Sequence, residues 1–377
     1  MSELIDTTIR NGSIRRRLLA TVSAFALLAS IGGIGKAEAG DDAGRPDVWI
    51  ELGGQLDQFA STQGPFAPPF LRKTPPAFET VTPVEAQKPP RFAIGGDAKA
   101  TFEPAGTHWV FSASVRYGRS NGDKTVHQQT LFPSVQLGLP SNHIPPRDDG
   151  YATSKIRINE SHAIADFQAG KDFGLGMFGR DSTSIFSLGV RYAQFASTTA
   201  ADIRDRPDLH VRYFAFPSGG GKAPLKYYHA YHLTGHSARS FQAIGPSLSW
   251  DASAPFAGNQ ETAEFTFDWG AKAAILFGRQ KAAVSHQTTG HYFKQKYGAY
   301  NQAPPYTNAP APRNGAHTVT IPNLGGFAGV SVKWPNAKVG LGYRADFFFG
   351  AVDGGIDKRV SKTLGLNGPF ASISIGL

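Results

Sequence analysis

Residues 264–277 alternate without a break: Phe265, Phe267, Trp269, Ala271, Ala273, Ile275 and Phe277 share one parity, while Thr266, Asp268, Gly270 and Lys272 share the other. A helix repeats every 3.6 residues and would scatter both sets around its surface, so only an extended strand separates them onto two faces. The same period returns in four further segments. Val48, Ile50, Leu52 and Leu56 oppose Glu51, Gln55 and Asp57; Phe92, Ile94, Ala98, Ala100 and Phe102 oppose Asp97, Lys99, Thr101 and Glu103. Trp109, Phe111, Ala113, Val115 and Tyr117 oppose Ser112, Ser114 and Arg116, and Val339, Leu341, Tyr343, Ala345, Phe347 and Phe349 oppose Lys338, Gly340, Gly342, Arg344 and Asp346. Weaker alternation covers residues 156–169, 184–197, 240–252, 324–334 and 364–377, which makes ten strands. In the first of these the parity switches between Ile158 and Ala163, and a β-bulge near Glu160 is the expected cause.

The connectors alternate as regularly as the strands. Residues 104–107 and 335–337 are tight turns, and 170–183 and 253–262 are moderate. Residues 60–90, 119–154, 198–239, 280–318 and 350–363 read as loops, all near or beyond the length at which an unstructured loop becomes unusual in a compact soluble domain. Short turns at one rim and long loops at the other are the asymmetry of a transmembrane barrel. Charged residues make up only 18% of the chain and cysteine is absent, which excludes charge-rich coiled coils and disulfide scaffolds. The expected fold is therefore all-β: an antiparallel up-and-down transmembrane barrel of about ten strands, with eight and twelve as neighbouring closures, and with short periplasmic turns and long extracellular loops. A soluble periplasmic β-sandwich is the competing architecture, but it would need its apolar faces to meet one another.

The first forty residues set the compartment. Arg10, Arg15, Arg16 and Arg17 precede an apolar stretch from 18 to 34 and then Ala37, Glu38 and Ala39, the order of a cleaved secretory signal with its cut between Ala39 and Gly40. Residues 1–39 are thus expected to be removed by the Sec route and 40–377 to form a single barrel domain in the bacterial outer membrane. Trp49 and Trp109 open strands and Trp250 and Trp334 close them, so all four are expected in an interface girdle at the periplasmic rim.

The last strand, Ala371, Ile373, Ile375 and Leu377 alternating with Ser372, Ser374 and Gly376, resembles the C-terminal signature by which Gram-negative outer-membrane barrels are handed to their insertion machinery. Residues 244–248, 267–270 and 276–278 resemble the strand pattern of the Legionella-type pore-forming outer-membrane proteins. That resemblance implies a barrel and a porin-like role, and it carries no catalytic motif.

Enzymatic signals are weak. Gly174, Gly176 and Gly179 have dinucleotide-fingerprint spacing but precede a strand, so they read as a glycine-rich turn. His229, His232 and His236 lie in the stretch 226–236 without a carboxylate, short of a metal site, and Asp202, Asp205, Asp208 and His210 are the only candidates for a rim hydrolase. No catalytic residue, cofactor or metal is therefore assigned. The cleaved chain would keep net charge +7 of the total +9, much of it in the long connectors, which suits outer-membrane lipid and lipopolysaccharide and not nucleic acid. A barrel this small fills its own lumen, and charges there are costly unless paired, so Asp97, Lys99, Arg116, Asp268, Lys272, Arg344 and Asp346 are expected to form a lumen network. The function expected is a structural or surface-interaction role with at most a narrow pore, ahead of a small-solute channel and a rim hydrolase.

Overall fold

The computed structural model describes residues 47–61, 92–132, 148–174, 182–215, 222–259, 262–296, 299–302 and 306–377. Residues 1–39, expected from the sequence to be a cleaved signal, and the expected cut between Ala39 and Gly40 lie outside the described residues. The strands are β1 (Asp47–Ser61), β2 (Phe92–Glu103), β3 (Trp109–Phe132), β4 (Asp148–Asp172), β5 (Thr183–Ala215), β6 (Lys222–Asn259), β7 (Ala263–Lys296), β8 (Ala299–Gln302), β9 (Tyr306–Asn308), β10 (Arg313–Trp334), β11 (Ala337–Asp353) and β12 (Ser361–Gly376). Each of β1 to β7 pairs antiparallel with the next, β7 pairs with β10, and β12 pairs with β1 in the register Trp49↔Gly376. The sheet closes as a ring of ten strands, with β8 and β9 as short additions on β7. Closure leaves no free edge around the ring, the condition for a sheet to sit in lipid.

One end carries the short turns. Thr107 N–H donates to Pro104 O at 3.2 Å, with Gly106 at φ 67°, and Gly376 N–H donates to Asn336 O at 3.0 Å, so the β10–β11 turn touches the C-terminal strand. Around this half of the barrel the outward parity is apolar and bare: Leu188 is 70% exposed, Leu341 59% and Ile275 51%. Side chains of that kind facing water in a continuous belt would be a large unsatisfied apolar surface, whereas in a bilayer they meet acyl chains.

The strands run far past this belt. Strands β5, β6 and β7 are 33, 38 and 34 residues long, against the roughly 9–11 that a tilted strand needs to span hydrocarbon. Much of what the sequence presents as the connectors 119–154, 198–239 and 280–318 is in fact continued β-ladder. The reason shows on β7, whose outward face passes from Phe277 to exposed Arg279 and Lys281, while its inward face passes from Asp268 and Lys272 to buried Leu276, Ala282 and Val284. Above the belt the outside is water and the inside is packed, so the apolar parity inverts without any change in backbone. The same inversion explains β4. No bulge interrupts its ladders at Glu160, which pairs with Ser120 and Ser197 in continuous register; Ile156 and Ile158 point inward and Phe167 outward because the surroundings change. Register shifts occur instead at Asp205/Asp208, Pro255/Ala257 and Phe348/Val352.

Ala273 sits in the belt between Leu248 of β6 and Leu324 of β10, both about half exposed. Ala273→Arg should lower refolding stability in lipid by about 2–4 kcal/mol, the cost of a cation near the midplane. Gly270 has the opposite parity, and a Cβ there would press on Phe327 Cε1 and Asp251 Oδ1, so Gly270→Ala tests crowding inside. Equal refolding of Ala273→Arg and wild type in lipid vesicles would overturn the facing assignment.

Candidate functional site

Seen from the short-turn rim inward, the lumen is layered. At the rim, Trp109 stacks on Phe111 at 6.5 Å, Trp250 stacks on Phe186 at 5.9 Å, and Trp250 Nε1–H donates to Ser184 Oγ at 3.0 Å. Trp109, Trp250 and Trp334 lie on the outward parity, with Trp109 half exposed. Trp49 reaches the same rim but shares the parity of Gln55 and Asp57, both buried inside, and its ring lies 3.2 Å from where a Cβ on Gly376 would be. The rim therefore carries three tryptophans outside and one within.

Next comes a layer of charge. Asp97, Lys99, Arg116, Asp268, Lys272, Arg344 and Asp346 all line one cavity of about 250 Å³. Arg116 Nη2 of β3 donates to Asp346 Oδ2 of β11 across the lumen. Arg191 of β5, a residue missing from the sequence-derived set, organises the rest. Its Nε and Nη2 donate to the two oxygens of Asp166 at 2.7 and 2.9 Å, while Nη1 lies 3.4 Å from Asp346 and donates to Asn323. Asp166 and Arg191 face each other directly in the β4–β5 ladder, a signal the weak alternation of those strands concealed. Lys338 Nζ donates to Asp268 at 2.9 Å and Ser331 Oγ to the same carboxylate at 2.6 Å. Arg344 lies over the Phe370 ring at 4.7 Å and 3.9 Å from Asp97, and Lys272 is 3.7 Å from Asp166. Lys99 has no carboxylate within 4.0 Å among the described residues. Higher up, buried His162 of β4 stands 3.1 Å from Asp57 of β1.

Above the charges an apolar layer crosses the lumen. Phe195 of β5, Phe241 of β6, Leu276 of β7, Phe348 of β11 and Leu366 of β12 are all at most 4% exposed and belong to one cluster with Phe59 of β1 and Ile164 of β4. The Phe195 and Phe348 rings meet edge to face at 4.7 Å although three strands of the ring separate them on one side and five on the other. A second cluster, Ile156, Ile158, Ala201, Ile203, Leu233 and Val284, follows, and Ile356 packs against it.

Ile356 belongs to the β11–β12 connection, which folds inward across the mouth. Arg313 holds it with three hydrogen bonds, one from each guanidinium nitrogen: Nε donates to Ile356 O at 3.0 Å, Nη2 to Gly355 O at 2.9 Å and Nη1 to Asp353 Oδ2 at 2.7 Å. Arg239 Nη2 adds a bond to Gly355 O, and Asp357 lies 2.7 Å from His286. Asp353 stands beyond the belt. Burial pushes its carboxyl up, but the Arg313 guanidinium and the N–H groups of Val360 and Gly355 outweigh this and hold it below the ordinary carboxylate value.

The other sequence candidates do not gather into a site. Asp202 lies on the outer face of β5, 3.2 Å from His232 and 3.5 Å from Arg204, while the side chains of Asp205, Asp208, His210 and His229 are outside the described set. Gly174 adopts φ 64° and its N–H donates to Asp172 Oδ1 at 2.9 Å, as does that of Ser184, which makes it part of the β4–β5 turn.

No family profile matches the chain, and no curated protein matches it. Among solved structures, the transport unit of the autotransporter AIDA-I from Escherichia coli is 8% identical and covers 94% of this chain and 97% of its own, with a TM-score of 0.23. The TodX deltaS2S3 mutant monoaromatic hydrocarbon channel is 8% identical over 90% of this chain and 91% of its own, with a TM-score of 0.20. OmpT of Vibrio cholerae is 10% identical over 90% and 100%, with a TM-score of 0.14. Similarities this low add nothing to the geometry.

Proposed function

We propose that this chain is an integral protein of the bacterial outer membrane with a structural or surface-interaction role, and that its lumen is closed to solute flow at rest. The observation that carries this reading is the apolar layer, to which nine of the ten ring strands contribute buried residues. Ions crossing it would lose their hydration without compensating partners. Exposed Arg279 and Lys281, directly above the belt on β7, stand at the level of lipid phosphate and suit an outer leaflet rich in it. The C-terminal strand, ladder-paired on both sides, fits delivery by barrel-insertion machinery.

A small-solute channel is the second reading, favoured by the cavity beneath the plug and by the resemblance of residues 244–278 to pore-forming proteins. It requires the apolar layer and the inward-folded connection to move aside. Single-channel recording in planar bilayers separates the two. The closed reading expects no steady conductance from protein that shows a heat-dependent mobility shift on SDS electrophoresis, the mark of a folded barrel. A stable conductance that scales with salt would replace it with the channel reading, and recovery as a soluble periplasmic protein without the shift would remove both.

A further inference from the structure

We infer that the charged cavity below the apolar layer is a binding site for a small zwitterion, a molecule carrying one ammonium and one carboxylate. Half of the twelve charges on its wall are firmly paired: Arg116 and Arg191 with Asp346, Arg191 with Asp166, Lys338 with Asp268. Four of the others bear on the site. Asp97, whose side chain is only 9% exposed, keeps Oδ1 without a donor, and its one cation, Arg344, is 3.9 Å from the other oxygen. Asp251 Oδ1 is likewise buried without a donor. Lys99 has no carboxylate within 4.0 Å among the described residues, and Lys272 stops 3.7 Å from an Asp166 whose two oxygens Arg191 already occupies.

The four fall into two pairs on opposing walls. Asp97 and Lys99 stand two residues apart on the inward face of β2; Asp251 of β6 and Lys272 of β7 lie diagonally across one ladder, where Asp251 pairs with Gly270 and Lys272 with Ser249. Strands β2 and β6 are four places apart in a ring of ten, so the two pairs face each other across the lumen. Each wall thus offers one carboxylate oxygen without a donor and one cation whose carboxylate contact is long or absent. Buried polar atoms left unpaired are costly, and a wall balanced in sign but unmatched in position is complemented by a dipolar solute and not by an ion of either sign. The ammonium would bond Asp97 or Asp251, and the carboxylate Lys99 or Lys272. A volume of about 250 Å³ holds a solute of this kind, since a water-sized group takes up roughly 30 Å³. The apolar layer closes the far end, so entry is from the short-turn rim; only this blind geometry depends on the closed-lumen reading.

The test is titration calorimetry on the refolded full-length barrel in detergent with γ-aminobutyrate, using n-butylamine and butyrate as singly charged controls. The zwitterion is expected to bind at least about tenfold more tightly than either control, because each control forfeits one charge-assisted contact. Lys99→Met and Asp251→Asn, each checked for the heat-dependent mobility shift, are expected to lose at least about tenfold in affinity. Equal or absent binding of all three solutes to wild type overturns the proposal, and so does unchanged affinity in both folded variants. If a variant fails to fold, the wild-type comparison decides alone. Conductance is measured separately, so an open lumen that still prefers the zwitterion would overturn the closed reading and leave the site standing.

Discussion

Asp346→Ala should destabilise the folded barrel by about 3–5 kcal/mol, the range expected when one member of a buried charge cluster is removed and its partners stay behind. Arg116 and Arg191 both contact this carboxylate, and both are under 10% exposed, so its loss removes a partner from two buried guanidinium groups at once. Arg191 keeps Asp166, but Arg116 loses its one ion pair among the described residues. The measurement is urea unfolding of lipid-refolded protein followed by tryptophan fluorescence. Asp123→Ala is the reference, because the Asp123–Arg157 pair at 2.9 Å is about 60% exposed on both sides and such pairs contribute less than about 1 kcal/mol. Equal losses for the two variants would mean that the charged layer is wet enough to screen its own charges.

Phe348→Ala should cost a similar amount, about 3–5 kcal/mol, through lost burial and the cavity left behind. Phe348 is fully buried and touches Phe195 from across the lumen. The two variants differ in what they do to permeation. Asp346→Ala leaves the apolar layer in place and should remain silent in bilayers, whereas Phe348→Ala thins that layer and should admit brief openings, strengthened by adding Phe195→Ala. A silent double variant that still folds would show that the seal lies elsewhere, with the inward-folded connection around Ile356 the next segment to remove.

How much of this was legible beforehand follows from where each feature is encoded. Alternation at i, i+2 is local, so the belt strands and their number, the facing of Ala273 and Gly270 and the short-turn rim could be read directly from residues such as Phe265, Trp269 and Phe277. The same logic selected Asp97, Arg116, Asp268, Lys272, Arg344 and Asp346 as inward. It ends at Phe277 on β7 and at Ala163 on β4, because apolar side chains face outward only along the exposed belt. Beyond the belt the strands continue with the opposite code, and residues such as Ile203, Leu233 and Val284 were hidden in apparent loops.

What a side chain touches across the lumen is not encoded locally at all. Arg116 and Asp346 are 230 residues apart, and Arg191 and Asn323 are 132 apart. The sequence alone determined that ten strands would close with a polar inside and an apolar belt, since strand geometry forces adjacent residues to opposite faces. Only the tertiary structure decided which charges pair, that an aromatic layer crosses above them and that half of the cavity's charges stay loosely matched, because those relations arise when closure of the ring sets the stagger and brings opposite walls within reach.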